Sequence, residues 1–117
     1  MLVITRFSEG LPDFAARAER ALAVLAARPG YRGGSVGRST DHDGGWAVVT
    51  RWDSVGSWRR ALSSVDAKMY AAPLLALARD EPSTYEELLT ASPGDSPQRH
   101  SSDRAADTRG ERRSRRG

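Results

Sequence analysis

The sequence predicts an α+β fold of the ferredoxin-like, split βαβ kind, with a four-stranded antiparallel sheet and helices packed on one of its faces. Three observations lead there. Strand-like and helix-like segments follow one another in the order β-α-β-β-α-(α)-β within the first 91 residues. The two middle strands are joined by a polar turn, DHDGG at 41–45, whose glycines supply positive φ and favour a hairpin. After Ala91 the aliphatic and aromatic side chains stop, apart from Ala105 and Ala106, so the folded unit must be built from what precedes.

The first strand is LVITRF, residues 2–7. Its alternation sends Val3, Thr5 and Phe7 to one face and Leu2, Ile4 and Arg6 to the other. Pro12 suits the first turn of a helix, and Asp13 suits its positive end. Phe14, Ala18, Ala21, Leu22 and Leu25 then recur at helical spacing, with Arg17, Arg20 and Arg28 off that stripe. Pro29-Gly30 ends the helix. YRGGSVGRS (31–39) is a weaker strand, whose three glycines mark a bulge or a close backbone approach. WAVVTRW (46–52) is the strongest strand, with Trp46, Val48 and Trp52 on one face and Ala47 and Val49 on the other.

Asp53 or Ser54 can cap the next helix, with Val55, Trp58, Ala61 and Leu62 as its apolar face. Asp66 is expected to cap another, over 67–78, bent or broken at Pro73. Met69 is expected to fill a gap in the core. STYEELL (83–89) reads as a last, shorter strand beside the first or the second. Both faces of 2–7 and 46–52 carry apolar groups, whereas helices cover only one. A second copy of the chain is expected to cover the other, giving a twofold homodimer.

The chain has 117 residues, room for one domain: residues 1–91, with 92–117 expected as a disordered basic tail. An isoelectric point near 9.9 suggests a nucleic-acid binder until the charges are located. Residues 1–91 hold eleven basic and eleven acidic side chains, whereas 92–117 hold seven Arg against four acids. A neutral folded part argues against a groove built on phosphates. Nucleic acid could then be met only weakly, through the tail, and a solubilising extension is the simpler account of RGERRSRRG. There is no cysteine, which excludes disulfides, thiolate metal sites and cysteine nucleophiles. With only His42 and His100, no metal site is expected. No signal peptide or membrane span is visible, so the expected location is the cytoplasm.

Four strings carry a family resemblance: MLVITRF; ARPGYRGGSVGRS after the first helix; WAVVTRWDSVGSWRRALSS; and the closing PSTYEELL. A PG-aromatic step before the second strand and a strand ending in WDS that runs into a helix resemble the antibiotic biosynthesis monooxygenase family of dimeric α/β barrels. The resemblance spans roughly residues 1–90 and implies the fold and the homodimer. The family's haem-degrading branch uses an Asn on the first strand, a Trp in the helix after the third strand and a His ligand. This chain has Arg6 or Phe7, Ala61 and Ala71 at those places, and neither histidine lies in the helical region.

The other branch resembles cofactor-independent monooxygenases acting on flat polycyclic phenols. There the substrate itself supplies the electrons to oxygen, and the protein binds a flat ring, assists loss of a proton and stabilises the anion. No cofactor is implied. Trp58, Trp52 and Arg6 are candidates for substrate binding, and Arg51 and Tyr70 for catalysis, since indole and phenol offer π faces with one polar group and arginine holds an anion. Each has a plainer account. Trp46 and Trp52 share a strand face but lie about 20 Å apart at the usual strand rise, so the three tryptophans do not form one cage. Trp58 and Trp52 can be core, Tyr70 surface, Arg6 and Arg51 exposed charges, and His42 a solvated turn residue. The leading expectation is oxygenation of a small flat aromatic or polyketide-like molecule. The alternative is a non-catalytic small-molecule-binding or structural homodimer.

Overall fold

The computed structural model describes residues 1–41 and 44–102. His42 and residues 103–117, with six of the seven tail arginines, lie outside the described residues. The chain divides into two units, Met1–Tyr85 and Glu86–Gly117.

The first unit contains β1 (Leu2–Phe7), α1 (Phe14–Ala26), β2 (Tyr31–Arg38), β3 (Trp46–Trp52), α2 (Val55–Leu62), α3 (Val65–Tyr70), α4 (Ala72–Leu75) and β4 (Thr84–Tyr85). The sheet runs β2-β3-β1-β4 and every pairing is antiparallel. This is the expected α+β architecture, with the last strand beside the first. The register pairs Val3 with Thr50 and Thr5 with Val48, so the inner faces of β1 and β3 coincide. Val3, Thr5, Phe7, Val48, Thr50 and Trp52 are buried there, beneath Phe14, Ala18, Ala21 and Leu25 of α1. The glycines of β2 do mark an irregularity: its register with β3 shifts between Tyr31 and Gly33.

Local chemistry explains the helix boundaries. The Ser54 hydroxyl caps α2 by accepting the Ser57 N–H at 3.1 Å. At α3 the cap is Ser64, accepting from Ala67 N at 3.2 Å, and not Asp66, which sits in the first turn where its charge meets the positive helix end. The expected break near Pro73 falls at Ala71, and Pro73 lies at the start of α4, where its missing N–H costs nothing.

Three expectations are corrected. Met69 is 57 % exposed, because the buried stripe of this region is Ala67, Ala71 and Leu74. Small residues at those helical spacings bring α3 close to the core and turn Met69 outward. Val55, in the first turn of α2, is also exposed. The last strand is far shorter than 83–89: only Thr84 and Tyr85 pair with β1.

Of the tail expected to be disordered, residues 103–117 lie outside the described residues, and within 92–102 the second unit holds one side of a small hairpin. β5 (Leu89–Thr90) pairs with β6 (Gln98–Arg99) across a turn in which Gly94 takes φ +80°. Thr90 Oγ1 and His100 Nε2 share a hydrogen bond of 2.6 Å, and Ser102 donates to Glu86 at 2.6 Å. A hairpin of this size is assembled from ladder bonds and turn chemistry rather than buried apolar area, so composition gives no sign of it. Among the described residues, no helix is long and apolar enough to cross a membrane.

Candidate functional site

The brevity of β4 creates the site. Beyond Tyr85–Leu2 and Thr84–Val3, two further backbone bonds among the described residues meet the edge of β1: Ile4 N–H to Ser83 O at 2.7 Å and Arg79 N–H to Arg6 O at 2.8 Å. Between these tethers the chain leaves the sheet edge. A cleft of about 670 Å³ opens between β1, α2, α4 and the Arg79–Ser83 segment. That is within the range of small-molecule sites, about 300–1,000 Å³.

The cleft lining has two chemical characters. Trp58, Leu62, Leu75 and Ile4 supply apolar wall, and Arg6, Arg79, Asp80, Glu81 and Ser83 supply polar groups. Trp58 is held from behind by Trp52, with ring centroids 5.4 Å apart, and Trp52 in turn meets the edge of Tyr31 at 5.3 Å. This aromatic relay fixes the Trp58 plane. Arg6 makes a forked pair with Glu81, Nε to Oε2 at 2.7 Å and Nη2 to Oε1 at 2.9 Å. Arg79 donates to Gly44 O at 3.2 Å, which directs its side chain toward the β2–β3 connection.

The fork holds the Glu81 carboxyl below the usual carboxylate range, chiefly through its hydrogen bond with Arg6 and with a smaller contribution from Arg79. The same bond raises Arg6. A depressed carboxyl contributes stability above its unfolded value, and that contribution is lost as pH falls through the folded one. Both side chains are solvent-accessible, 51 % for Arg6 and 29 % for Glu81, so the contribution to stability is small.

The five residues singled out from the sequence do not converge. Arg6 and Trp58 line the cleft together. Trp52 lies behind Trp58, 1 % exposed, its indole N–H donating to Thr50 Oγ1 at 2.8 Å. Arg51 is exposed and, by strand parity with Ala47 and Val49, on the outer face of the sheet. Tyr70 is 38 % exposed on α3, with the Arg20 guanidinium 5.2 Å from its ring centroid. Neither lines the cleft. Trp46 is a rim residue, stacked on Phe14 at 4.8 Å under Arg38.

Residues 79–83 went unrecognised in the sequence. The signal was the charged triplet Arg79-Asp80-Glu81 between an apolar helix and Pro82. Among the described residues no group of three or more His, Asp or Glu side chains could hold a metal ion.

A family model described as antibiotic biosynthesis monooxygenase matches residues 3–73. The chain belongs to this family. The antibiotic biosynthesis monooxygenase match runs from Val3 in β1 to Pro73 in α4, takes in Arg6 and Trp58, and stops before the Arg79–Ser83 segment. Among solved structures, the chain is similar to SnoaB, a cofactor-independent oxygenase from Streptomyces nogalater. The identity is 26 %, the TM-score 0.56, and the similarity covers 67 % of this chain and 81 % of that one. An asparagine-to-alanine variant of SnoaB matches equally well. A conserved protein from Methanosarcina mazei Go1 is 15 % identical at TM-score 0.49, over 71 % of this chain and 85 % of that one. No curated protein sequence matches the chain significantly.

Proposed function

We propose that the chain is a cofactor-independent monooxygenase that oxidises a small, flat aromatic or polyketide-like substrate in the cleft beside β1. One observation carries this reading: the cleft lining divides between apolar side chains, among them an edge of Trp58, which is otherwise buried at 8 % exposure, and charged ones. That division suits a fused-ring phenol, whose rings need a π surface and whose oxygens need ionic partners. The family membership and the likeness to SnoaB support it.

In this reaction class a ring methylene becomes a quinone carbonyl. One atom of O₂ bonds to the carbon, and the other leaves as water with the two methylene hydrogens. Both electron pairs come from the substrate. Loss of a proton comes first, giving an anion that can reduce oxygen. The polar side chains of the lining offer a carboxylate, Asp80, to accept the proton, and a guanidinium, Arg6, to hold the anion. Trp58 is assigned the ring-binding surface, with Trp52 fixing its orientation. Arg51 and Tyr70 stand outside this assignment.

Oxygen uptake with reduced polycyclic phenols in chelator-treated buffer tests the reading. Turnover is expected in the wild type. Trp58→Ala is expected to lower kcat/KM on the order of a hundredfold, as for loss of a positioning surface, and Trp58→Phe to recover part of it. Uptake indifferent to Trp58→Ala would overturn the site. Ligand binding without turnover would leave a small-molecule-binding protein.

The outer sheet face carries Leu2, Ile4, Ala47, Val49 and Tyr85, all at least partly solvent-accessible in one chain. Their alignment across three strands supports the homodimer, with a second copy packed on this face. Sedimentation of the full chain at micromolar concentration is expected to give twice the chain mass. A monomer would remove the dimer from the proposal.

A further inference from the structure

The cleft already holds a carboxylate of its own. We propose that Glu81 occupies the place of an anionic group on the substrate, and that a flat aromatic bearing a carboxylate or acidic enol displaces it from the Arg6 fork. This rests on the cleft being the substrate site, as proposed above.

Four features carry the inference. The Arg6–Glu81 pair is two-pronged, with both contacts under 3 Å, so the guanidinium is presented in the geometry that planar oxyanions accept. Arg6, Glu81 and Trp58 all line the same cleft. In a single chain both partners are solvent-accessible, so Glu81 can turn away from Arg6 without leaving a buried charge behind. The exchange also conserves charge: one oxyanion leaves Arg6 as another arrives. A neutral ring system gains nothing from this exchange and leaves the pair intact. Glu81 therefore makes the site selective by occupying Arg6 until an anion competes for it. Arg6 lies within the residues matched to the family and Glu81 past them.

Calorimetric titration of the full chain with anthraquinone carboxylate and with its uncharged carboxamide tests the proposal. The two share shape and differ in charge. Exposed ion pairs are weak, so the expected changes in affinity are on the order of fivefold. Glu81→Gln is expected to tighten the carboxylate about fivefold and to leave the carboxamide unchanged. Arg6→Gln is expected to weaken the carboxylate alone. Asp80→Asn removes a neighbouring charge without opening the fork and is expected to have a smaller effect than Glu81→Gln. If Asp80→Asn and Glu81→Gln tighten the carboxylate equally, the general field of the cleft decides and displacement is overturned. Carboxamide binding with no response of the carboxylate to Glu81→Gln overturns this inference and leaves the cleft reading in place. Failure of every protein to bind either compound overturns the cleft reading and this inference with it.

Discussion

Replacing Trp52 with alanine is expected to destabilise the fold by about 3–5 kcal/mol, the range for removing a large aromatic side chain from a packed core. Trp52 is among the most completely buried side chains, with 1 % of its surface exposed. It joins three elements, β2, β3 and α2. Its ring meets Tyr31 at the start of β2 and Trp58 on α2, and its N–H satisfies the hydroxyl of Thr50, itself 2 % exposed. Truncation leaves a cavity with rigid walls and a buried hydroxyl without its donor, and the two costs add. Trp52→Phe keeps most of the volume and loses the hydrogen bond, so a smaller loss of about 1–2 kcal/mol is expected. Urea denaturation of the three proteins measures the difference. A loss below about 1 kcal/mol for Trp52→Ala would mean that the neighbours collapse into the space. Because Trp52 backs Trp58, the alanine variant is also expected to lose ring binding in the cleft.

The second large effect comes from a backbone rather than a side chain. Gly45→Ala is expected to lower stability by about 3 kcal/mol, from a left-handed conformation worth roughly 1–2 kcal/mol and a comparable cost of overpacking. Gly45 has φ +74°, and a Cβ built on it would lie 2.0 Å from the carbonyl oxygen of Phe7. That atom cannot swing aside, since it belongs to the end of β1, where Phe7 is fully buried and paired with Trp46. Gly45 is itself held by Ser39, whose N–H donates to its carbonyl at 2.8 Å. Gly37→Ala is the control: nothing lies within 4 Å of the added methyl. Thermal melts are expected to show a fall of 10 °C or more for Gly45→Ala, at roughly 4–8 °C per kcal/mol for a domain of this size. Equal melts for the two variants would show that β1 and β3 separate at little cost.

Most of the fold was legible because it rests on periodicity. Val3, Thr5 and Phe7 alternate, and Phe14, Ala18, Ala21 and Leu25 recur at helical spacing; all seven are buried as that predicts. The region of α3 and α4 was misjudged at Met69 because size was taken for burial. Close helix packing there is achieved with Ala67 and Ala71, which carry little hydrophobic signal. The site was half legible. Trp58 and Arg6 stood out by residue type, but the cleft exists because β4 stops after two residues. STYEELL alternates well enough to suggest a full strand, and nothing local announces that pairing ends at Tyr85. Arg79 and Glu81 acquire their role only from that interruption, a tertiary event.

The two tethers that frame the cleft also set the kind of motion available to it. Residues 80–82 hang between the Arg79–Arg6 and Ser83–Ile4 backbone bonds, and Pro82 fixes one of the few torsions left. A clasp fastened at both ends and stiffened in the middle has little freedom to swing as a lid. Its variable parts are the rotamers of Arg6 and Glu81, which interconvert in picoseconds to nanoseconds rather than in the microseconds to milliseconds of loop closure. Access to this cleft is thus set by side-chain rotamers rather than by movement of the 80–82 segment.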